Sequence, residues 1–164
     1  MTVSYSIRAA DSPQRSRCRY LADLAGAQLY VYARSLGTVL RFEGEIDASN
    51  AQDVASAIRR FGRLQTPLIL DLSQLKFLSI EGFRAVLVVN HEHQNARIHC
   101  SVVTGDAMRP LLRIVNHHGL PVVGSVPEAL QLVEDIVRAR RQFLSDLVGR
   151  RQSGRQSPRV AVPS

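Results

Sequence analysis

Residues 68–89 read LILDLSQLKFLSIEGFRAVLVV, and this stretch decides the fold. Leu68, Ile69 and Leu70 form an unbroken aliphatic run, the pattern of a strand buried on both faces. Asp71-Leu72-Ser73 ends that run. Gln74-Leu75-Lys76-Phe77-Leu78 reads as a short crossover. Ser79-Ile80-Glu81-Gly82 then opens a helix in which Phe83, Val86 and Leu87 recur at helical spacing. Ser79 is placed to cap it by accepting a backbone N–H bond, and Glu81 suits the positive end of the helix dipole.

Working outward, the same alternation recurs. Upstream, residues 28–34 (QLYVYAR) and 38–43 (TVLRFE) are rich in β-formers, with a hairpin-like turn at Ser35-Leu36-Gly37. Gly44-Glu45-Ile46-Asp47 closes the second strand. Asp47 or Ser49 can cap a helix whose apolar face is Ala51, Val54, Ala55, Ile58 and Phe61. Arg59, Arg60 and Arg63 suit its last turn, Gly62 helps to end it, and Pro67 begins the central strand. Downstream of the helix at 80–95, residues 98–104 (IHCSVVT) read as a buried strand. A helix is expected over 107–117, with Met108, Leu111, Leu112 and Val115 on one side. Leu120-Pro121-Val122-Val123 is an edge-type strand, where proline is tolerated. Ser125 caps a last helix with Pro127 near its start. Its apolar residues run from Ala129 to Val137, and the pattern extends to Leu147. A hairpin followed by alternating strands and helices implies α/β layering around a small mixed sheet with about four helices and right-handed crossovers.

The order of elements and the motif resemble the STAS domain, the fold of the anti-sigma factor antagonists. That family reads D-L-S, then an apolar residue, Phe or Tyr, Ile or Leu, and D-S-S-G followed by an apolar residue. Here the stretch runs from Asp71-Leu72-Ser73 to Phe77-Leu78-Ser79-Ile80-Glu81-Gly82-Phe83. Ser79 stands where the family has Asp, and Ile80 stands where it has the phosphoacceptor Ser or Thr. Glu81 replaces the second small residue, while Gly82 fits the motif's glycine. Gly44-Glu45-Ile46-Asp47 resembles a second family motif, G-x-I/L-D, whose Asp borders the partner-binding surface. The resemblance spans residues 28–137 and implies a bacterial regulator that binds a cognate anti-sigma factor, often a kinase-like ATPase, and so releases a sigma factor for transcription. It implies no cofactor and no chemistry on this chain. The partner-binding surface it implies is Asp47, Ser49, Asn50, Ser79, Ile80, Glu81, Gly82 and Arg84. Ile80 cannot take a phosphate; Ser79, one residue earlier, is the candidate phosphorylation site, and Arg84 can reach a partner carboxylate.

Composition narrows the alternatives. The 164 residues fit one domain plus tails, and with Trp absent aliphatic side chains must fill the core. No apolar run approaches the ~20 residues needed to span a bilayer, and the N-terminus lacks a signal-type apolar core, so a soluble cytoplasmic protein is expected. The formal charge of +7 divides into +2 for residues 1–25, −1 for 26–137 and +6 for 138–164. The basic excess belongs to the tails, and specific nucleic-acid binding is not expected of the domain. Residues 1–25 read as a flexible arm, 26–148 as the STAS domain with an extended C-terminal helix, and 149–164 as a disordered Arg/Ser-rich tail with Ser153 and Ser157 in basic contexts. Cys18 and Cys100 have no metal or redox spacing; two reduced thiols are expected, Cys100 in the core, with a redox disulfide as the alternative. His91 and His93 read as a solvated helix end, and no ligand set for a metal is visible.

Two further readings stand beside the antagonist. One is a STAS-type ligand sensor or scaffold acting by protein–protein contacts, self-association included. The other is a weak nucleotide-binding module or enzyme, for which Asp47, Asp71 and Ser73 would gather at the carboxyl ends of the strands.

Overall fold

Thr38–Ile46 and Leu68–Leu78 run parallel at the centre of a six-stranded sheet. The structure, a computed structural model, describes residue 18 and residues 20–153. Of the flexible arm expected over residues 1–25, residues 1–17 and 19 lie outside the described residues, as do residues 154–164 of the tail expected over 149–164. The chain order is β1 (Tyr20–Asp23), β2 (Ala27–Ala33), β3 (Thr38–Ile46), α1 (Ala51–Gly62), β4 (Leu68–Leu78), α2 (Ile80–Asn95), β5 (Cys100–Val103), α3 (Arg109–Ile114), β6 (Val122–Val123) and α4 (Val126–Ser153). Sheet order follows chain order: β1, β2 and β3 pair antiparallel, and β3 to β6 pair parallel. This is the mixed α/β sheet with four helices that the sequence predicts. Right-handed crossovers between successive parallel neighbours place their helices on one face. Accordingly Leu40, Phe42, Leu68, Leu70 and Val102 pack with Val54 and Ile58 of α1 and Phe83, Val86 and Val89 of α2. The other face, with Tyr30, Tyr32, Val39, Ile69 and Val103, packs with Ala129 at the start of α4. Among the described residues Phe42 and Phe83 are the aromatics in the most deeply buried set; the rest of that set is aliphatic apart from Met108.

Four expectations are corrected. Residues 20–23 belong to the sheet rather than to an arm: Tyr20 pairs with Val31 and Asp23 with Gln28 in register. Ala22 and Leu24 are buried, and burial outweighs the weak local signal. The supposed crossover 74–78 is a continuation of β4, bonded to Glu43, Gly44, Glu45 and Ile46 through two register shifts. Bulges hide the two-residue period from which the strand would have been read. α3 is shorter than 107–117, because Met108 is its N-cap and Val115 is already extended. α4 runs past 148 to Ser153. Gly149 costs a helix only about 1 kcal/mol, and Arg150 and Arg151 suit its carboxyl end.

The chain divides into two units, residues up to Val133 and residues from Glu134. α4 begins as expected: Ser125 Oγ accepts from Glu128 N (3.3 Å) and Glu128 Oε2 accepts from Gly124 N (2.7 Å). The hydroxyl caps the helix, and the carboxylate reaches one residue further back than a capping box would, to the N–H before the cap.

Candidate partner-binding surface

The carboxyl ends of β3 and β4 each pass directly into a helix, and the two junctions are joined. Ser79 N donates to Ile46 O at 2.8 Å. Gly82 lies against Ile46 and Leu78: a Cβ there would stand 2.7 Å from Ile46 Cγ2 and 2.9 Å from Leu78 Cδ1. The motif's glycine is therefore buried, and it serves the neighbouring strand's approach rather than a partner's.

Gly44 sets the path of the first junction. Its φ of 90° is a left-handed value that glycine adopts without strain, and a Cβ would run into Gly26 O. Glu45 N donates to Gly26 O at 3.0 Å, holding the turn between β1 and β2 against the end of β3. Asn50 then closes the loop. Its Oδ1 accepts from Asp47 N (2.9 Å), and its Nδ2 donates to Glu45 O (2.9 Å) and Ala25 O (3.2 Å). At 1% exposure its side chain has no surface to offer. The expectation that Asn50 touches a partner is thus corrected: it is a buried tie. It also stands at the N-cap of α1, without a capping side-chain bond, where Asp47 or Ser49 was expected. Asp47 folds back on Ser49 instead, accepting from Ser49 N (2.8 Å) and Ser49 Oγ (2.5 Å). Those bonds, the hydroxyl's first, hold its carboxyl below the usual range.

The second junction is open. Ser79 caps α2 as expected, its Oγ accepting from Gly82 N at 3.1 Å. The next residue, Ile80, is 57% exposed, and Glu81 and Arg84 are exposed beside it. Two further apolar side chains that sequence reasoning missed are exposed: Phe77 by 50% and Val88 by 51%. Ile80, Arg84 and Val88 are spaced four apart and share a helix face, a signal that was readable. Phe77 was hidden by the reading of residues 74–78 as a crossover. Of the predicted set, Ser49, Ile80, Glu81 and Arg84 are exposed and Asp47 and Ser79 are partly so, while Asn50 and Gly82 are interior.

The other polar candidates are consumed locally. Asp71 is buried; its Oδ2 meets Arg41 Nε at 3.1 Å, and its Oδ1 accepts from Ser73 N (3.1 Å) and Ser73 Oγ (2.6 Å). Asp71 and Ser73 thus form a closed network, and Asp47 is engaged separately with Ser49. His93 is not at a solvated helix end. It is buried with Nδ1 2.6 Å from Val89 O, and its ring lies where a Gly62 side chain would be. Beside it, Glu92 pairs in two hydrogen bonds with Arg59 (2.7 and 2.9 Å), which holds its carboxyl low. Cys18 and Cys100 are both free; Cys18 packs on the α4 face of the sheet and Cys100 in the core on the other. Burial pushes the Cys100 thiol up to about 12. Among the described residues no three His, Cys, Asp or Glu are grouped as a metal site, and no helix is long and apolar enough to cross a membrane.

The STAS-domain family profile matches residues 28–121. Osmosensory protein A of Mycobacterium tuberculosis (strain ATCC 25618 / H37Rv) is 31% identical over 133 residues, 78% of this chain and 84% of that protein. An anti-sigma factor antagonist from Mycobacterium paratuberculosis superimposes with a TM-score of 0.59 at 24% identity, covering 66% of this chain and 94% of the other. The antagonist SpoIIAA in its unphosphorylated form gives 0.53 at 17% identity, with 65% and 96% covered. At these identities the two structures show a shared fold.

Proposed function

The chain belongs to the STAS-domain family, and from that premise we propose that it is an anti-sigma factor antagonist without the usual phosphate switch. It binds a cognate anti-sigma factor of the kinase-like ATPase kind through the surface formed by the two junctions, and so frees a sigma factor. The observation that carries this reading is Ile80. It sits exposed in the first turn of α2, directly after the cap, with Arg84 and Val88 on the same face of the helix and Glu81 exposed next to it. Ile80 and Val88 supply apolar contact, and Glu81 and Arg84 supply charge to orient the partner. The likeness in fold to two antagonists supports the kind of partner. The mechanism is competitive protein binding, with no reaction on this chain, carried out in the cytoplasm.

The test is calorimetric titration of the full chain with purified anti-sigma kinases from its own genome. One of them is expected to bind at one-to-one stoichiometry. Ile80→Asp and Arg84→Glu should each weaken that complex about tenfold or more, with the unfolding midpoint unchanged. Full-strength binding by both variants would remove the junction surface from the account.

A second reading has one observation in its favour: the relative at 31% identity is called an osmosensory protein. In that reading the domain senses or scaffolds a response to osmotic stress. It predicts binding to other STAS proteins or to a small solute, and indifference to the kinases.

A further inference from the structure

Among the described residues the sheet ends at β1, whose outer edge pairs with no further strand. An edge of this kind is a template for another strand. α1 packs beside it: Tyr20 meets Phe61 edge-on, with ring centroids 5.6 Å apart. Between the two elements lies a cavity of about 90 Å³, lined by Tyr20, Ala22 and Leu24 of β1 and by Ala57 and Phe61 of α1, with Asp53 and Arg60 as its charged lining. Ala57, Arg60 and Phe61 stand four, seven and eight residues on from Asp53 and so share its helix face. The cavity is far smaller than the roughly 300–1,000 Å³ of a small-molecule site. It has room for a few side chains, not for a cofactor.

One segment of the chain suits both the edge and the cavity. Residues 1–8 read MTVSYSIR. Met1, Val3, Tyr5 and Ile7 alternate without a break with Thr2, Ser4, Ser6 and Arg8, the pattern of a strand with one buried face. Val, Tyr, Ile and Thr are also strand formers. The turn-rich composition of an arm belongs to residues 9–17, AADSPQRSR, where Asp11-Ser12-Pro13 suits a reversal. Residues 9–19 are ample for a return across the ~4.8 Å between neighbouring strands.

Side-chain parity then fixes the face. Residues directly opposite in an antiparallel pair lie on the same side of the sheet. With Ile7 beside Tyr20, Tyr5 falls beside Ala22 and Val3 beside Leu24. The largest incoming side chain thus meets the smallest neighbour, at the cavity. The polar set falls on the side of Leu21 and Asp23. A second copy fits less well: β1 paired with its own copy would bring up only Tyr20, Ala22 and Leu24, which already line a cavity of their own.

We infer that residues 1–8 add to the outer edge of β1 as a further antiparallel strand, with Val3, Tyr5 and Ile7 closing the cavity against α1. The added strand shields the edge from other chains. It also braces α1, the helix that begins at the first junction.

Amide hydrogen exchange followed by NMR on the full chain tests it. Amides within residues 3–7 should exchange about 100-fold more slowly than in an unstructured peptide, with cross-strand proton contacts joining them to residues 20–24. Glutamate substitution reads the period. Val3→Glu, Tyr5→Glu and Ile7→Glu should each reduce that protection about tenfold or more, while Thr2→Glu, Ser4→Glu and Ser6→Glu should change it by less than about twofold. Protection in β3 and β4 should stay at the wild-type level in all six, which keeps the loss local. Exchange at the unstructured rate throughout residues 1–8 of wild type would overturn the inference. So would equal sensitivity at odd and even positions. Protection of β1 that rises with protein concentration, together with a dimer in sedimentation, would give the edge to a second copy and equally overturn it.

Discussion

The two junctions at the ends of β3 and β4 are neighbours, and they are built in opposite ways. The first is a closed knot. Gly44 turns the chain, Asn50 satisfies three backbone groups from the interior, and Asp47 folds onto Ser49. The second is a plain capped helix start. One hydroxyl bond from Ser79 serves the cap, and Ile80 and Glu81 point outward. Changes at the first should therefore act on stability and those at the second on recognition. Gly82 links them, since its missing side chain lets the second helix settle on Ile46 of the first junction.

That division can be broken from the frame side first. Gly44→Ala forces a non-glycine residue into φ 90° and against Gly26 O, and is expected to cost about 3 kcal/mol. Urea unfolding of the full chain reads it directly. Asn50→Ala strands the Asp47 N–H and the Glu45 and Ala25 carbonyls, a loss of about 2 kcal/mol. A loss as small as that of an exposed substitution would mean that Asn50 is not the tie. Ser79→Ala removes only the cap of α2 and should lower stability by about 1 kcal/mol. Ile80→Ser should leave the midpoint within about 0.5 kcal/mol of wild type, because the side chain is exposed.

The smallest effect sharpens the electrostatics of the first junction. The Asp47 carboxyl lies below its ordinary value of 3.8 because Ser49 bonds to the ionised form. A depressed folded-state value means that this contribution is complete at neutral pH and is lost as pH falls through the folded value. The stability difference between wild type and Asp47→Asn should accordingly be constant near neutrality and shrink below about pH 4. A difference that holds unchanged at pH 2 would mean that Asp47 acts through shape alone.

Much of this was legible in the chain. The aliphatic run at 68–70, the helical spacing of Phe83 and Val86 and the Ser125 cap are local signals, and local structure obeys them. Apart from the bounds of α3 and α4, the failures share a cause: a partner distant in sequence decided the outcome. Tyr20–Asp23 is a strand because β2 pairs with it. Residues 74–78 stay in the sheet because bulges opposite Glu43 and Gly44 let β3 follow them. Asn50 looked like a surface residue at a helix start, and only the turn at Ala25 reveals why it faces inward. His93 looked solvated until Gly62 of α1 made room for its ring. Within the candidate surface, Ile80, Glu81 and Arg84 were found because the motif brackets them. Phe77 was missed because its strand was.

The most direct test of the account is phosphate transfer to the second junction. Wild type, Ser79→Ala and Ile80→Ser are each incubated with a binding anti-sigma kinase and labelled ATP, and label on the chain is counted. Binding by all three with label on Ile80→Ser alone is the predicted result, since position 80 then presents the hydroxyl that the exposed isoleucine withholds. Label on wild type that disappears in Ser79→Ala would contradict it, because the switch would then lie at the cap of α2 and the junction would not be free of phosphate control.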